Sequence, residues 1–240
     1  MDDFDRIFLT GDKHGDFFDL MGDSVRYGFT ERDLLIILGD VGVNFFGDER
    51  DEKSKRELSS LGLPVLCVRG NHEMRLTDPV LDGMYREIEW CGGKVYVEDK
   101  WPHLLFARDG ERYHIGDHDF LVIGGAYSVD KWYRLMHGYP WFADEQLTPE
   151  EMAAIREEIA EHGNHEDIIL AQTCPYRKRP MERFIQGLDQ NLIDSTMERF
   201  LQEIVDSVEY NRMYCGHWHT DKIDGKVHFL YNKVETIRVL

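Results

Sequence analysis

The chain has 240 residues, with a hydrophobic share of 42% and an aromatic share of 12%, which excludes a disordered chain and suffices for one α/β domain over residues 1–240. Its formal charge of −18, from 28 Lys+Arg against 46 Asp+Glu, argues against a protein that coats DNA or RNA, because such a surface repels phosphates at long range. A small phosphorylated substrate stays open, since bound divalent cations reverse the sign locally.

Residues 6–10 read as a short strand, and 16–27 as a helix with Phe17, Leu20, Met21 and Val25 on one face. Residues 34–38 form a continuous apolar run, the kind buried on both sides of a sheet. A polar helix is expected over 48–61 and another buried strand over 65–68. From 94 to 126 the pattern changes to short β-like runs at 95–97, 103–107, 112–115 and 120–123. Asp109-Gly110 and Gly116-Asp117 between them predict antiparallel hairpins.

Residues 132–142 are aromatic-rich without a period and read as a surface loop. Trp132, Tyr133, Tyr139 and Trp141 there either cover the core or stack on a nucleobase. Thr148 opens a helix to about residue 162, with Glu151 three residues on as the partner of a capping box. A buried strand at 168–171, a helix at 195–208 and strands at 212–215, 226–231 and 236–239 complete the chain. This order predicts two sheets with outer helices.

Five apolar runs pass through a small residue into a residue type that binds metal. The segments are Gly11-Asp12-Lys13-His14-Gly15, Gly39-Asp40, Arg69-Gly70-Asn71-His72-Glu73, Gln172-Thr173-Cys174-Pro175 and Gly216-His217-Trp218-His219. In open α/β sheets ligands bind beyond the carboxyl ends of the strands, so parallel neighbours would bring these loops to one rim. Asp12, His14, Asp40, Asn71, Gln172, His217 and His219 are too many donors for one ion and suit two. Imidazole, carboxylate and amide donors together favour Mn, Fe, Zn or Ni.

Two such ions, roughly 3.5–4 Å apart, can share a carboxylate and a hydroxide and hold phosphoryl oxygens for in-line attack. His72 is the candidate acid for the leaving oxygen. Arg69 either steadies a phosphate or pairs with a carboxylate. Arg177, in the run Arg177-Lys178-Arg179, either draws in an anionic substrate or belongs to a solvated loop.

Asp12-x-His14, Gly39-Asp40, Gly70-Asn71-His72-Glu73 and Gly216-His217-x-His219, in that order, resemble the calcineurin-like metallophosphoesterase superfamily. Residues 124–130 and 214–220 further resemble a bacterial and phage branch of it. The resemblance implies a four-layer α/β/β/α sandwich of two mixed sheets flanked by helices, and hydrolysis of a phosphomonoester or phosphodiester. It implies Asp12, His14 and His219 on a first metal, Asn71 and His217 on a second, Asp40 bridging, and His72 as the catalytic histidine.

One position departs from the family pattern. A histidine is expected after the fourth strand, and this chain has Gln172, a weaker donor for these metals. A weak second site is therefore expected. The same departure supports an alternative reading as a binding or scaffold protein with a crippled site. The protein serine/threonine phosphatase branch fits less well, because residues 39–44 lack its Asp-Arg-Gly ending.

Cys67, Cys91, Cys174 and Cys215 show no CxxC spacing, so a zinc knuckle or redox motif is not indicated, and a reducing compartment is. The acidic start and the short apolar runs predict a cytoplasmic protein with no membrane partner.

Overall fold

Alternate residues of the buried strands face different neighbours, and this period of two sets the layers. Ile7, Leu9, Leu34, Ile36 and Leu38 share a central core with Val122, Ile168, Leu170 and Tyr214. Between them in sequence, Phe8, Leu35 and Ile37 point the other way, onto Leu20 and Leu58. Leu121, Ile123, Ile169 and Ala171 likewise turn outward, onto Met152, Ile155, Phe200 and Ile204. Three apolar interiors thus separate four layers, helix, sheet, sheet and helix.

The computed structural model describes residues 4–187 and 189–239. Along the chain run β1 (Arg6–Gly11), α1 (Phe18–Tyr27), β2 (Asp33–Leu38), α2 (Glu49–Ser59), β3 (Val65–Val68), β4 (Arg86–Trp90), β5 (Gly93–Glu98), β6 (Trp101–Ala107), β7 (Arg112–Ile115) and β8 (His118–Ile123). There follow α3 (Lys131–His137), α4 (Pro149–Glu161), β9 (His165–Ala171), α5 (Thr196–Ser207), β10 (Glu209–Cys215), β11 (Lys222–Asp224), β12 (Val227–Phe229) and β13 (Glu235–Arg238). One sheet has the order β13-β1-β2-β3-β6-β5-β4, the other β11-β12-β10-β9-β8-β7.

The expected elements recur with a few differences. The hairpins β5/β6 and β7/β8 are antiparallel, but β6 lies parallel to β3 and β8 parallel to β9, so the middle of the chain is divided between the two sheets. Residues 131–137 are helical where a loop was expected. Asp130 and Arg134 pair one turn apart at 2.8 Å, and Gly138 ends the helix at φ 70°. Val25 is exposed, so the buried stripe of α1 is narrower than its apolar residues suggest. Strand β4 carries a mostly exposed, charged pattern and gave no apolar signal. No helix among the described residues is long and apolar enough to cross a membrane.

Candidate metal centre

Strand register brings the ligand loops to one height. Gly11 lies opposite Leu38, and Leu38 opposite Val68, so the parallel strands β1, β2 and β3 end level. In the other sheet Ala171 lies opposite both Cys215 and Ile123. The two rims touch closely. A Cβ on Gly216 would fall 2.4 Å from Asp12 Oδ2 and 2.5 Å from the Leu38 carbonyl oxygen, and one on Gly70 would fall 2.1 Å from Asp40 Oδ1. Only glycine permits such approaches.

Neighbouring loops clamp both carboxylates. The His217 amide donates to Asp12 Oδ2 at 2.6 Å, and the His72 amide to Asp40 Oδ1 at 2.8 Å. The Lys13 and His14 amides donate to the Asp40 carbonyl at 2.9 and 2.7 Å. A three-residue turn, Trp218 N–H to the Gly216 carbonyl at 2.8 Å, closes around His217. His14, Asp40, His217 and His219 all have left-handed backbone, with φ of 48°, 44°, 66° and 45°. Among the described residues only Cys91 and Asn164 share that property outside glycine. An L side chain there costs on the order of 1 kcal/mol, so the strain is concentrated at this rim.

The donors converge in two overlapping groups. Those of Asp12, His14 and His219 lie within 4.8 Å of one another, and so do those of His14, Asp40 and His72. His14 Nε2 is 3.1 Å from His219 Nε2 and 3.9 Å from Asp40 Oδ2. Asn71 Nδ2 donates to Ser128 Oγ at 2.8 Å, while Asn71 Oδ1 accepts from Gln172 Nε2 at 2.8 Å. All seven donor residues and His72 are therefore gathered at one place.

Electrostatics favour a cation there. Burial, and next the charge of Asp40, push the Asp12 carboxyl well above its usual range. Two carboxylates cannot both stay charged in such a site without positive charge beside them. Burial lowers His217 and His219 to about 4, which keeps both imidazoles in the neutral, ligating form. His72 is also lowered, chiefly by burial, with Asp40 opposing and Arg134 reinforcing the shift. Glu73 accepts from the Gly42 and Gly70 amides, each at 3.0 Å, and burial and then Asp40 push it up to about 7. Burial also raises the thiols of Cys174 and Cys215 well above the usual cysteine range, so neither is an activated nucleophile.

Above these residues opens a cleft of about 300 Å³, lined by His14, His72, His217 and Trp218 among others. The two arginines expected to meet substrate do not reach it. Arg69 takes its alternative reading: its Nε pairs with Asp109 at 2.8 Å and its Nη1 donates to the Glu145 carbonyl at 2.8 Å. It lines a separate hollow of about 640 Å³. Arg177 is exposed and pairs with Asp206. Lys13 is also turned away, donating to the Tyr231 carbonyl at 2.6 Å.

Sequence reasoning missed Arg134. It is buried, held by Asp130 and by the Pro140 carbonyl at 2.9 Å, and its Nη2 lies 2.8 Å from His72 Nε2 and touches Nδ1 as well. The Asp130…Arg134 spacing and Gly138 were the available signals. Arg179 and Arg183 also line the cleft.

The sequence profile for calcineurin-like phosphoesterase matches residues 5–221. The chain belongs to that family. Its calcineurin-like phosphoesterase fold is similar to the crystal structure of TT1561 of Thermus thermophilus, at 15% identity and a TM-score of 0.51, over 99% of this chain and 100% of that one. The calcineurin-like phosphoesterase YfkN from Bacillus subtilis is similar at 14% identity and a TM-score of 0.43, over 96% and 83% of the two chains. No curated protein sequence matches.

Family membership supports a metal-dependent phosphoesterase, and the residues present fit divalent cations. Asp12 Oδ1 and Gln172 Oε1 are buried without any hydrogen-bond partner, a costly state that a cation between the loops would relieve.

Proposed function

We propose that the protein hydrolyses a small phosphate monoester or diester in this cleft with two divalent cations. Asp12, His14 and His219 would hold the first, Asn71, His217 and Gln172 the second, and Asp40 would lie between them. The reading is carried by one observation: donors from the strand ends of two different sheets converge under one cleft, two of them with orphaned oxygens. Mn, Fe, Zn and Ni match the donor set. When bound, such cations offset charge on phosphoryl oxygens and lower the pKa of a water.

His72 stands in the cleft wall as the proton donor to the leaving oxygen. Burial lowers its pKa below the usual histidine value, so a proton on the ring is given up readily while fewer rings carry one at neutral pH. Arg134 holds the ring in place from α3 and adds positive charge to the wall. The small cleft and the net charge of −18 favour a small ester over extended nucleic acid.

Hydrolysis of an aryl phosphate and an aryl diester with Mn tests the proposal, with a chelator as control. The His72→Ala variant should keep its cation content while kcat falls about 10²–10⁴-fold. Unchanged turnover would remove His72 from the mechanism. Inertness towards both esters with both cations bound would favour the scaffold reading that Gln172 supports.

A further inference from the structure

Among the described residues six buried side-chain polar atoms lack a hydrogen-bond partner: two of them, Asp12 Oδ1 and Gln172 Oε1, lie among the residues gathered beneath the cleft, and one, Glu198 Oε2, belongs to a residue that lines it. The first two fall to the cations. Glu198 belongs to neither group of side chains that could hold one. It sits in the first turn of α5, is 4% exposed, and lines the cleft. A buried carboxylate oxygen left without a donor is costly, and such groups are rare unless something else satisfies them.

Its other oxygen is accounted for. Thr173 Oγ1 donates to Glu198 Oε1 at 2.8 Å, which uses the only hydroxyl hydrogen Thr173 has. Thr173 Oγ1 in turn accepts from Trp218 Nε1 at 3.2 Å. This relay fixes Glu198 and Trp218 together, and Trp218 stands between His217 and His219. Its ring stacks on Phe184 with centroids 5.8 Å apart and planes at 22°, giving the cleft an aromatic shelf. Arg179 and Arg183 line the same side.

We infer that this side of the cleft is a leaving-group subsite for a hydroxyl-bearing moiety, so that the substrate is the phosphate ester of a polyol. The inference rests on the phosphoesterase reading of the cleft. A hydroxyl supplies the donor that Glu198 Oε2 lacks, and the shelf of Trp218 and Phe184 covers the carbon face beside it. A plain alkyl group would leave the carboxylate oxygen orphaned.

The test compares kcat/KM with Mn for glycerol phosphate, ethyl phosphate and ethanolamine phosphate. Glycerol phosphate should exceed ethyl phosphate by about tenfold, the worth of one hydrogen bond to a charged group. Glu198→Gln exchanges the acidic acceptor for a neutral amide donor, from which a hydroxyl can still accept, and should lower that ratio below the wild-type value. If the Gln variant does not fold, Glu198→Asp, which withdraws the acceptor, must lower the ratio instead. A wild-type ratio near one, a ratio unmoved by these variants, or a preference for ethanolamine phosphate would each overturn the subsite. If no ester is hydrolysed, the phosphoesterase reading fails separately. Calorimetric binding of the same three compounds must then show the same order and the same loss in the variant, or the subsite fails too.

Discussion

Gln172 differs from an imidazole at its position in two physical ways. It is a weaker donor, and its Nε2 occupies Asn71 Oδ1, the oxygen a second cation would use. Gln172→His should therefore tighten binding of the second cation, seen as a lower half-saturation in a Mn titration. Equal affinity in both proteins would show that the glutamine already serves fully. Glu73 makes a second prediction, about pH. Folding raises its pKa from 4.5 to about 7, so the folded state holds this proton more tightly than the unfolded chain. The resulting stabilisation is complete below about 4.5 and is lost as pH rises through about 7. The metal-free protein should lose stability across that window, and Glu73→Gln should flatten the slope of its denaturant midpoints. The residues gathered at the rim were legible from residue type and spacing. Arg134 was not, because its role depends on a ring 62 positions away in sequence.

Elements with strong local signals matched their expectation closely. The capping box on α4 is present: Glu151 N–H donates to Thr148 Oγ1 at 3.2 Å, and Thr148 N–H to Glu151 Oε2 at 2.7 Å. Thr148→Ala should cost about 1 kcal/mol, measured as a shift in the denaturant midpoint. No shift would mean that the Arg75–Glu151 pair holds this helix end unaided. The parallel strands were legible because runs such as residues 34–38 are buried on both faces. Helix α3, at seven residues, is too short for an apolar period to show, and its exposed Trp132, Tyr133 and Met136 blur what period there is. The division of the middle strands between two sheets was hidden for a different reason: a hairpin pattern states how two strands pair and says nothing about which sheet lies alongside.

At the scale of the whole molecule, the proposed cations join two sheets that otherwise meet through apolar side chains. Binding should stabilise the fold, by about 2.7 kcal/mol when free cation reaches a hundred times its Kd. Thermal midpoints should rise with Mn and fall again on chelation, and Asp12→Asn should blunt the rise. A midpoint indifferent to cations would count against donors shared across the rim. The sequence by itself determined which residues meet at the rim and in what order, because a strand's carboxyl end delivers the next few residues to a rim whatever surrounds it. The order of elements predicted two sheets with outer helices, and the four-layer stacking was what the motif resemblance implied. Only the tertiary structure decided which arginines face the cleft. Arg69 found Asp109 and Arg177 found Asp206, while Arg134, Arg179 and Arg183 turned to the site. Charge pairing is settled by segments distant in the chain that packing brings alongside, and no local pattern of residues carries that information.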